Sequence, residues 1–217
     1  LGPKYRHSFR YDFSYGNYVK LGFLGSQDPG EPFFTNKNHL GYDHHSYYLV
    51  LRDLGRIKVL ALGQYKLRLG MGLVMNTDFG FGKLMTLNSL GRSTNSVRAN
   101  TSRSSANYLQ GAASTVSILK GLDLTAFVSY RPFDATLNES GTIRTILKTG
   151  YHRTVSELNR KNNAHQFTSG GNLHWEASGF HAGITAIYCH VDKSLQPQTS
   201  QLYRLYYPSG SNFWNAS

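Results

Sequence analysis

Long stretches in which apolar and polar residues alternate strictly constrain the fold more than any other feature of this sequence. In the first stretch, every second position is taken by Tyr5, His7, Phe9, Tyr11 and Phe13, with charged or small polar residues between them. Because successive side chains of a strand point to opposite faces of a sheet, this pattern predicts one aromatic and one polar face. Further alternating stretches lie at 47–52, 57–62, 64–73, 116–118, 122–131, 166–176 and 180–188. We therefore predict an all-β chain of roughly eight to ten strands.

The composition agrees with this prediction. The 217 residues include 15 Tyr, 12 Phe and 22 Gly, which favour strands and turns over helices. No run of about 18 apolar residues occurs, so we expect no transmembrane helix. The chain begins at Leu1 without a basic and then apolar leader, so we expect that an export signal has already been removed. The single Cys189 excludes an internal disulfide and a cysteine-based zinc site.

Short and long connections alternate along the chain. Turn residues predict tight turns at 14–17, 53–56, 120–121 and 177–179, whereas the other connections are long, at 25–43, 76–104, 132–163 and 192–201. Outer-membrane barrels have short periplasmic turns at one end and long extracellular loops at the other. We expect 76–104 and 132–163 to be long loops or an inward plug. The capping-box spacing of Thr154 and Glu157 predicts a short helix inside the second of them.

Alternation alone does not decide which face of the sheet meets solvent or lipid. In a soluble β-sandwich the apolar face is buried, whereas in a membrane barrel it meets lipid and the polar face lines the lumen. The alternation at 64–73 is longer than the strands of about 5–6 residues that globular proteins use, and membrane strands need about 9–11. Aromatic residues also lie near several strand ends, as in the aromatic girdles of such barrels. These features favour an antiparallel transmembrane β-barrel.

Five segments resemble strand motifs of one barrel family found in Bacteroides-type bacteria. They are Tyr-Lys-Leu-Arg-Leu-Gly-Met-Gly-Leu-Val-Met-Asn at 65–76, Leu-Gly-Arg-Ser at 90–93, Asn-Tyr-Leu-Gln-Gly-Ala-Ala at 107–113, Thr-Gly-Tyr-His-Arg-Thr at 149–154 and Asn-Phe-Trp-Asn-Ala-Ser at 212–217. The family comprises the helix-hairpin-helix domain-containing proteins, whose small domain is similar to that of the ComEA DNA-uptake receptors.

The resemblance covers most of 45–217 and concerns the barrel region only. It implies an export signal, periplasmic helix-hairpin-helix repeats and then a large outer-membrane barrel that continues past the equivalent of Ser217. We therefore expect residues 1–217 to form one outer-membrane β-barrel segment, an incomplete part of a larger barrel. The helix-hairpin-helix segment, which would contact DNA, has no counterpart in this sequence, so no residue here inherits a DNA-binding role.

Basic residues provide the main candidate for a binding site. The 23 Lys and Arg against 12 Asp and Glu give a formal charge of +11, which suggests an anionic partner. Rings of such side chains make a pore favour anions. We predict that a lumen or mouth is lined by Lys66, Arg68, Arg92, Arg98 and Arg103. The alternative is that these side chains meet only water or the phosphates of lipopolysaccharide.

We find no catalytic motif. The patterns of zinc proteases, serine hydrolases and P-loops are all missing. His39, His44, His45 and Asp43 are residue types that bind divalent metals, but adjacent strand residues point to opposite faces. We therefore predict no metal site, no cofactor and no enzymatic activity.

Three functions remain open from the sequence. The first is a non-enzymatic outer-membrane barrel that passes or docks an anionic ligand, with DNA as one candidate. The second is a structural or interaction subunit of an outer-membrane protein complex, with a plugged lumen. The third is a soluble β-sandwich binding module. The expected partners of the first two are outer-membrane lipid, lipopolysaccharide, DNA or another anionic solute, and other outer-membrane proteins.

Overall fold

A computed structural model describes residues 1–35, 38–39, 41–77, 95–103, 107–200 and 202–217. The fold is all-β, with 60% strand and 3% helix. The strands are β1 (His7–Tyr15), β2 (Val19–Gln27), β3 (His44–Leu54), β4 (Ile57–Arg68), β5 (Ser96–Ala99), β6 (Leu109–Leu119), β7 (Leu122–Phe133), β8 (Ala135–Leu137), β9 (Ile143–Ile146), β10 (Ala164–Ala177), β11 (Phe180–Leu195) and β12 (Gly210–Ala216). A short helix α1 (Val155–Leu158) and a 3-10 turn (Leu202–Arg204) complete the described elements. Across the described ranges, no helix is long and apolar enough to cross a membrane.

All twelve strands belong to one mostly antiparallel sheet. Its main part is a meander in the order β1-β2-β3-β4-β6-β7-β10-β11, and β12 also pairs with β11. β5 pairs with the far half of β4, and the β8–β9 hairpin joins β11 through the parallel pair Leu195–Ile143. Among the described residues, β1 pairs with β2 alone, and the sheet is not closed.

The four hairpins of the meander have short turns, and the connections between hairpins are long. In an antiparallel meander this arrangement places the short turns at one end of the sheet and the long connections at the other. The β10–β11 turn illustrates the local cause, because Ser178 and Gly179 both have positive φ, 38° and 83°. Two such residues give a turn whose twist matches that of the two strands it joins.

The long connection between β7 and β10 contains regular structure. Strand β7 continues through Pro132 to Phe133, two residues beyond the predicted alternation at 122–131. Helix α1 confirms the predicted helix start, since Thr154 and Glu157 form both hydrogen bonds of a capping box. In the connection between β4 and β6, the other segment expected to form a long loop or a plug, residues 78–94 lie outside the described residues.

The two faces of the sheet differ in polarity and in exposure, and β7 makes the contrast clear. On one side Leu124, Val128 and Tyr130 are 39% to 58% exposed, and we call this the apolar face. On the other side, which we call the polar face, Thr125 and Ser129 are at most 1% exposed. Exposed apolar residues continue across the apolar face at Tyr11, Phe13, Leu21, Phe23, Tyr47, Leu62, Leu173, Trp175, Ile184 and Trp214. The hydrophobic pattern is therefore the reverse of a soluble sheet that buries its apolar side.

A hydrophobic cluster fills the centre of the polar face. Val50 of β3, Phe127 of β7 and Ile187 of β11 belong to it, and the strand pairings place them in one row across the sheet. Tyr65 of β4 is fully buried in this cluster, and its hydroxyl donates to the backbone carbonyls of Ala112 and Val128 at 3.2 and 2.8 Å. Strands far apart in the chain thus pack against a common centre.

Residues 95–103 also lie against the polar face. The Asn95 side-chain amide donates to the oxygen of Asn172 at 2.6 Å and to Thr125 Oγ1 at 3.4 Å. Five residues later, Asn100 donates to Gln64 Oε1 at 3.2 Å, and its carbonyl accepts from Ser46 Oγ at 3.1 Å. The segment therefore runs from β10 towards β3 and covers part of the polar side chains.

Candidate functional site

A cavity of about 350 Å³ on the polar face is lined by basic side chains from two pairs of strands. Lys20 of β2 is paired with Val50 of β3, and Arg52 lies two residues further along the same face. Lys66 of β4 is paired directly with Arg98 of β5. Together these four side chains bring four positive charges to one cavity.

The rest of the lining is half apolar and half hydroxyl-bearing. It consists of Val50, Ala99, Thr101 and Ser102, so none of the described residues that line this cavity is acidic. Like charges that face each other across a strand pair destabilise a sheet, and this applies to Lys66 and Arg98. Arg98 Nε donates to Ser96 Oγ at 2.9 Å, which holds the guanidinium beside β5.

Two of the five predicted basic residues, Lys66 and Arg98, lie together in this cavity. Arg68 is not among the lining residues of this cavity. Its Nε is buried and has no hydrogen-bond partner among the described residues. Arg103 lines a different pocket together with Arg6 and three carboxylates. Arg92 lies outside the described residues.

Sequence reasoning missed Lys20 and Arg52. Both occupy polar positions of alternating strands, which was the available signal. That signal did not distinguish them from other basic residues, because the cavity forms only where β5 and residues 101–102 approach β2 and β3.

A second cluster of charged residues ties the long connections together around His152. The His152 ring lies between two carboxylates, with Nδ1 2.5 Å from Asp43 Oδ2 and Nε2 2.9 Å from Asp134 Oδ2. The backbone N–H of His152 donates to Glu31 Oε1 at 3.0 Å. Lys161 Nζ donates to the other Asp43 oxygen at 2.8 Å. We call these five residues the His152 cluster.

The electrostatics of the His152 cluster favour a charged imidazole. Burial alone would lower the pKa of His152, but the hydrogen bonds to Asp134 and Asp43 raise it to about 9. Burial would raise the pKa of Asp43, but the His152 hydrogen bond and the Lys161 charge outweigh it and lower that pKa. Burial raises the pKa of Glu31. At neutral pH, a protonated His152 therefore bridges two carboxylates.

The contacts of the His152 cluster point to a structural role. Glu31 and Asp43 belong to the β2–β3 connection, and His152, Asp134 and Lys161 belong to the β7–β10 connection. Sequence reasoning grouped Asp43 with His39, His44 and His45, whereas the Asp43 carboxylate binds His152 and Lys161. Glu31 and Asp43 lie more than a hundred residues before His152 and Lys161, so no local motif could have identified the cluster.

No protein-family model matches this chain, and neither a curated protein nor a solved structure matches it. The resemblance to the helix-hairpin-helix barrel family therefore stays a prediction. What can be said of function depends on the sheet, its exposed apolar face and the basic cavity.

Proposed function

We propose that this chain is a segment of a non-enzymatic outer-membrane β-barrel that passes or docks an anionic ligand. The observation that carries the proposal is the cavity lined by Lys20, Arg52, Lys66 and Arg98, with no acidic residue among the described residues of its lining. Positive side chains around a pore or groove raise the local concentration of anions and favour their passage or binding.

The location in a membrane is supported by the direction of the hydrophobic pattern. Residues such as Val128, Ile184 and Trp214 are exposed on the apolar face at 42%, 71% and 78%, whereas Thr125 and Asn172 are buried on the polar face. In water such an apolar surface would be a liability, but a barrel wall presents it to lipid. The strands β3, β4, β6 and β7 have 11 or 12 residues, enough to span a bilayer when tilted.

The proposal that this chain is an incomplete part of a barrel is supported by the free edge of the sheet at β1. Its backbone pairs only with β2 among the described residues, and its aromatic side chains Phe9, Tyr11 and Phe13 stay about half exposed. An unpaired edge cannot persist within hydrocarbon, because every backbone group there needs a partner. We propose that further strands complete the wall.

The ligand we propose carries phosphate or a similar anion. Guanidinium and ammonium groups pair with phosphate oxygens, and the cavity holds two of each. DNA, acting together with a periplasmic helix-hairpin-helix domain, is the candidate that the family resemblance suggests. Lipopolysaccharide phosphates share this chemistry.

A plugged scaffold in an outer-membrane complex is the second candidate, and residues 95–103 favour it. Asn95 bonds Asn172 and Thr125 across the polar face, which would fill part of a lumen. Such a barrel would conduct no ions and would act by contacting other outer-membrane proteins.

The test compares two variants with the same change in charge. One carries Lys20→Gln, Arg52→Gln, Lys66→Gln and Arg98→Gln, and the control neutralises four exposed basic residues outside the cavity, Lys4, Arg56, Lys120 and Arg160. Both variants are made in the whole protein, with the strands that complete the barrel, and placed in planar bilayers, where the reversal potential gives the chloride-to-potassium preference. We expect the cavity variant to lose anion preference and the control to keep it.

Binding of a single-stranded DNA oligonucleotide to the same proteins separates docking from passage. If all four cations contact phosphates, the slope of log affinity against log salt falls by up to about 3 in the cavity variant, at about 0.7 for each contact. Equal anion preference and equal slopes in both variants would overturn the anionic-ligand proposal. A chain that conducts nothing and binds no oligonucleotide would favour the scaffold. A stable detergent-free monomer would refute the membrane barrel and favour the sandwich module.

A further inference from the structure

Two histidines and a glutamate meet on the polar face near the β10–β11 turn. His174 and Glu176 belong to β10, and His181 belongs to β11. One ligand atom from each of the three side chains can be chosen so that all three atoms lie within 4.8 Å of one another. This distance is what three side chains need in order to bind one ion together.

The hairpin fixes this arrangement. His174 and Glu176 are two residues apart, so they share a face of β10, and Glu176 is paired directly with His181 across the strands. Opposite His174 the partner is Gly183, which has no side chain to occupy the space. The two imidazole rings consequently lie nearly parallel, with centroids 6.1 Å apart.

An unpaired nitrogen in the same group points independently to a ligand. His174 is 9% exposed, and its Nδ1 is buried without a hydrogen-bond partner in the described part of the chain. This Nδ1 lies 3.6 Å from the position that a Cβ atom would take at Gly183. It therefore faces β11, the strand that carries His181. Buried polar atoms are normally satisfied, and an unsatisfied nitrogen is costly unless something binds it.

We propose that His174, Glu176 and His181 bind one divalent transition-metal ion, with zinc the best match to the ligands. Zinc accepts imidazole nitrogen and carboxylate oxygen, and three protein ligands leave a fourth position for water. His181 also borders a cavity of about 420 Å³, which gives that position room. The proposed site differs from the sequence expectation of no metal, and it is independent of the anionic-ligand proposal.

The other metal-like group in the described residues does not compete for this assignment. Glu31, Asp43 and His152 also come within 4.8 Å of one another. Every one of their ligand atoms already has a partner: the two His152 nitrogens lie on Asp43 and Asp134, Lys161 donates to Asp43, and Glu31 accepts two backbone N–H groups. Internal cations thus occupy the place that a metal would take.

The experiment titrates the folded chain with Zn²⁺ against a chromophoric chelator. We expect one saturable site. His174→Gln, Glu176→Gln and His181→Gln should each lower the zinc affinity by at least about 10-fold, because mutation of residues that only hydrogen-bond a metal ligand already lowers metal affinity by about 10- to 100-fold. The control is His190→Gln. His190 lies on β11 like His181, but its Nδ1 lies 2.8 Å from Asn212 Oδ1. It should leave the affinity unchanged, as should Asp43→Asn.

The buried His174→Gln variant could fail to fold, which far-UV circular dichroism would show. The His181→Gln variant then still tests the site, because His181 is exposed. Substitution with Co²⁺ adds a second measurement, because a four-coordinate site gives visible absorption bands that His181→Gln should abolish. A chain without a saturable site, or a folded His181→Gln variant with wild-type zinc affinity and Co²⁺ spectrum, would overturn the assignment.

Discussion

The protonated His152 between Asp43 and Asp134 should make the stability of this protein fall as the pH rises above neutrality. Its pKa is about 9 in the folded chain against 6.5 for an ordinary histidine, because two carboxylates accept hydrogen bonds from its ring. At about 1.4 kcal/mol for each pH unit of that difference, the proton contributes about 3 kcal/mol to folding. The side chain is only 6% exposed, so solvent screens this contribution little.

The sign follows from the raised pKa. Below pH 6.5 the imidazole is protonated in both states, and the full contribution is present. Between pH 6.5 and about 9 the unfolded state loses its proton first, so the contribution declines, and above about 9 it is gone. The lowered pKa of Asp43 acts at the acid end, where its protonation would remove the same contact.

The assay is urea unfolding of wild type and His152→Gln at pH 6 and pH 10, in the lipid or detergent in which the chain folds. We expect the difference in unfolding free energy between the two proteins to shrink by about 3 kcal/mol between these pH values. The control is His165→Gln, whose ring lies 3.4 Å from Asp192 in an exposed pair that should contribute less than about 1 kcal/mol. A difference that does not change with pH, or a His152 imidazole that titrates near 6.5 by nuclear magnetic resonance, would refute the reasoning.

Three further predictions concern the sheet. Gly170→Ala should lower the unfolding free energy by about 1–3 kcal/mol, because its Cβ would lie 2.5 Å from the Ala186 carbonyl oxygen, whereas Gly171→Ala, whose nearest contact is 3.1 Å, should cost less. Equal midpoints of urea unfolding for this pair would contradict the packing argument. Tyr65→Phe should cost about 0.5–1.5 kcal/mol in the same assay, because it removes the buried hydroxyl and its hydrogen bonds to backbone carbonyls. Val128→Arg on the apolar face should cost about 2–4 kcal/mol in a bilayer if this residue lies near the midplane, and a negligible cost would argue against lipid contact there.

The sequence predicted those parts of the structure that depend on neighbouring residues. The alternation at 122–131 indicates both that β7 is a strand and which residues share each of its faces, because side-chain direction in a strand has a period of two. The spacing of Thr154 and Glu157 likewise predicts the start of α1, since a capping box involves only residues in one turn.

Other features needed the fold. The His152 cluster joins Asp43 and His152, residues 109 positions apart, and the basic cavity joins Lys20 to Arg98 through the pairings of four strands. The histidines of the zinc site are close in sequence, but their relevance depends on the register that pairs Glu176 with His181 and leaves Gly183 opposite His174.

The alternation with which the sequence begins therefore determined that this chain forms strands with one apolar and one polar face. Which face is covered was decided only by the tertiary structure, in which residues 95–103 and the core around Tyr65 lie on the polar side. The physical reason is that alternation is a property of each strand alone, whereas burial depends on which distant segments pack against it.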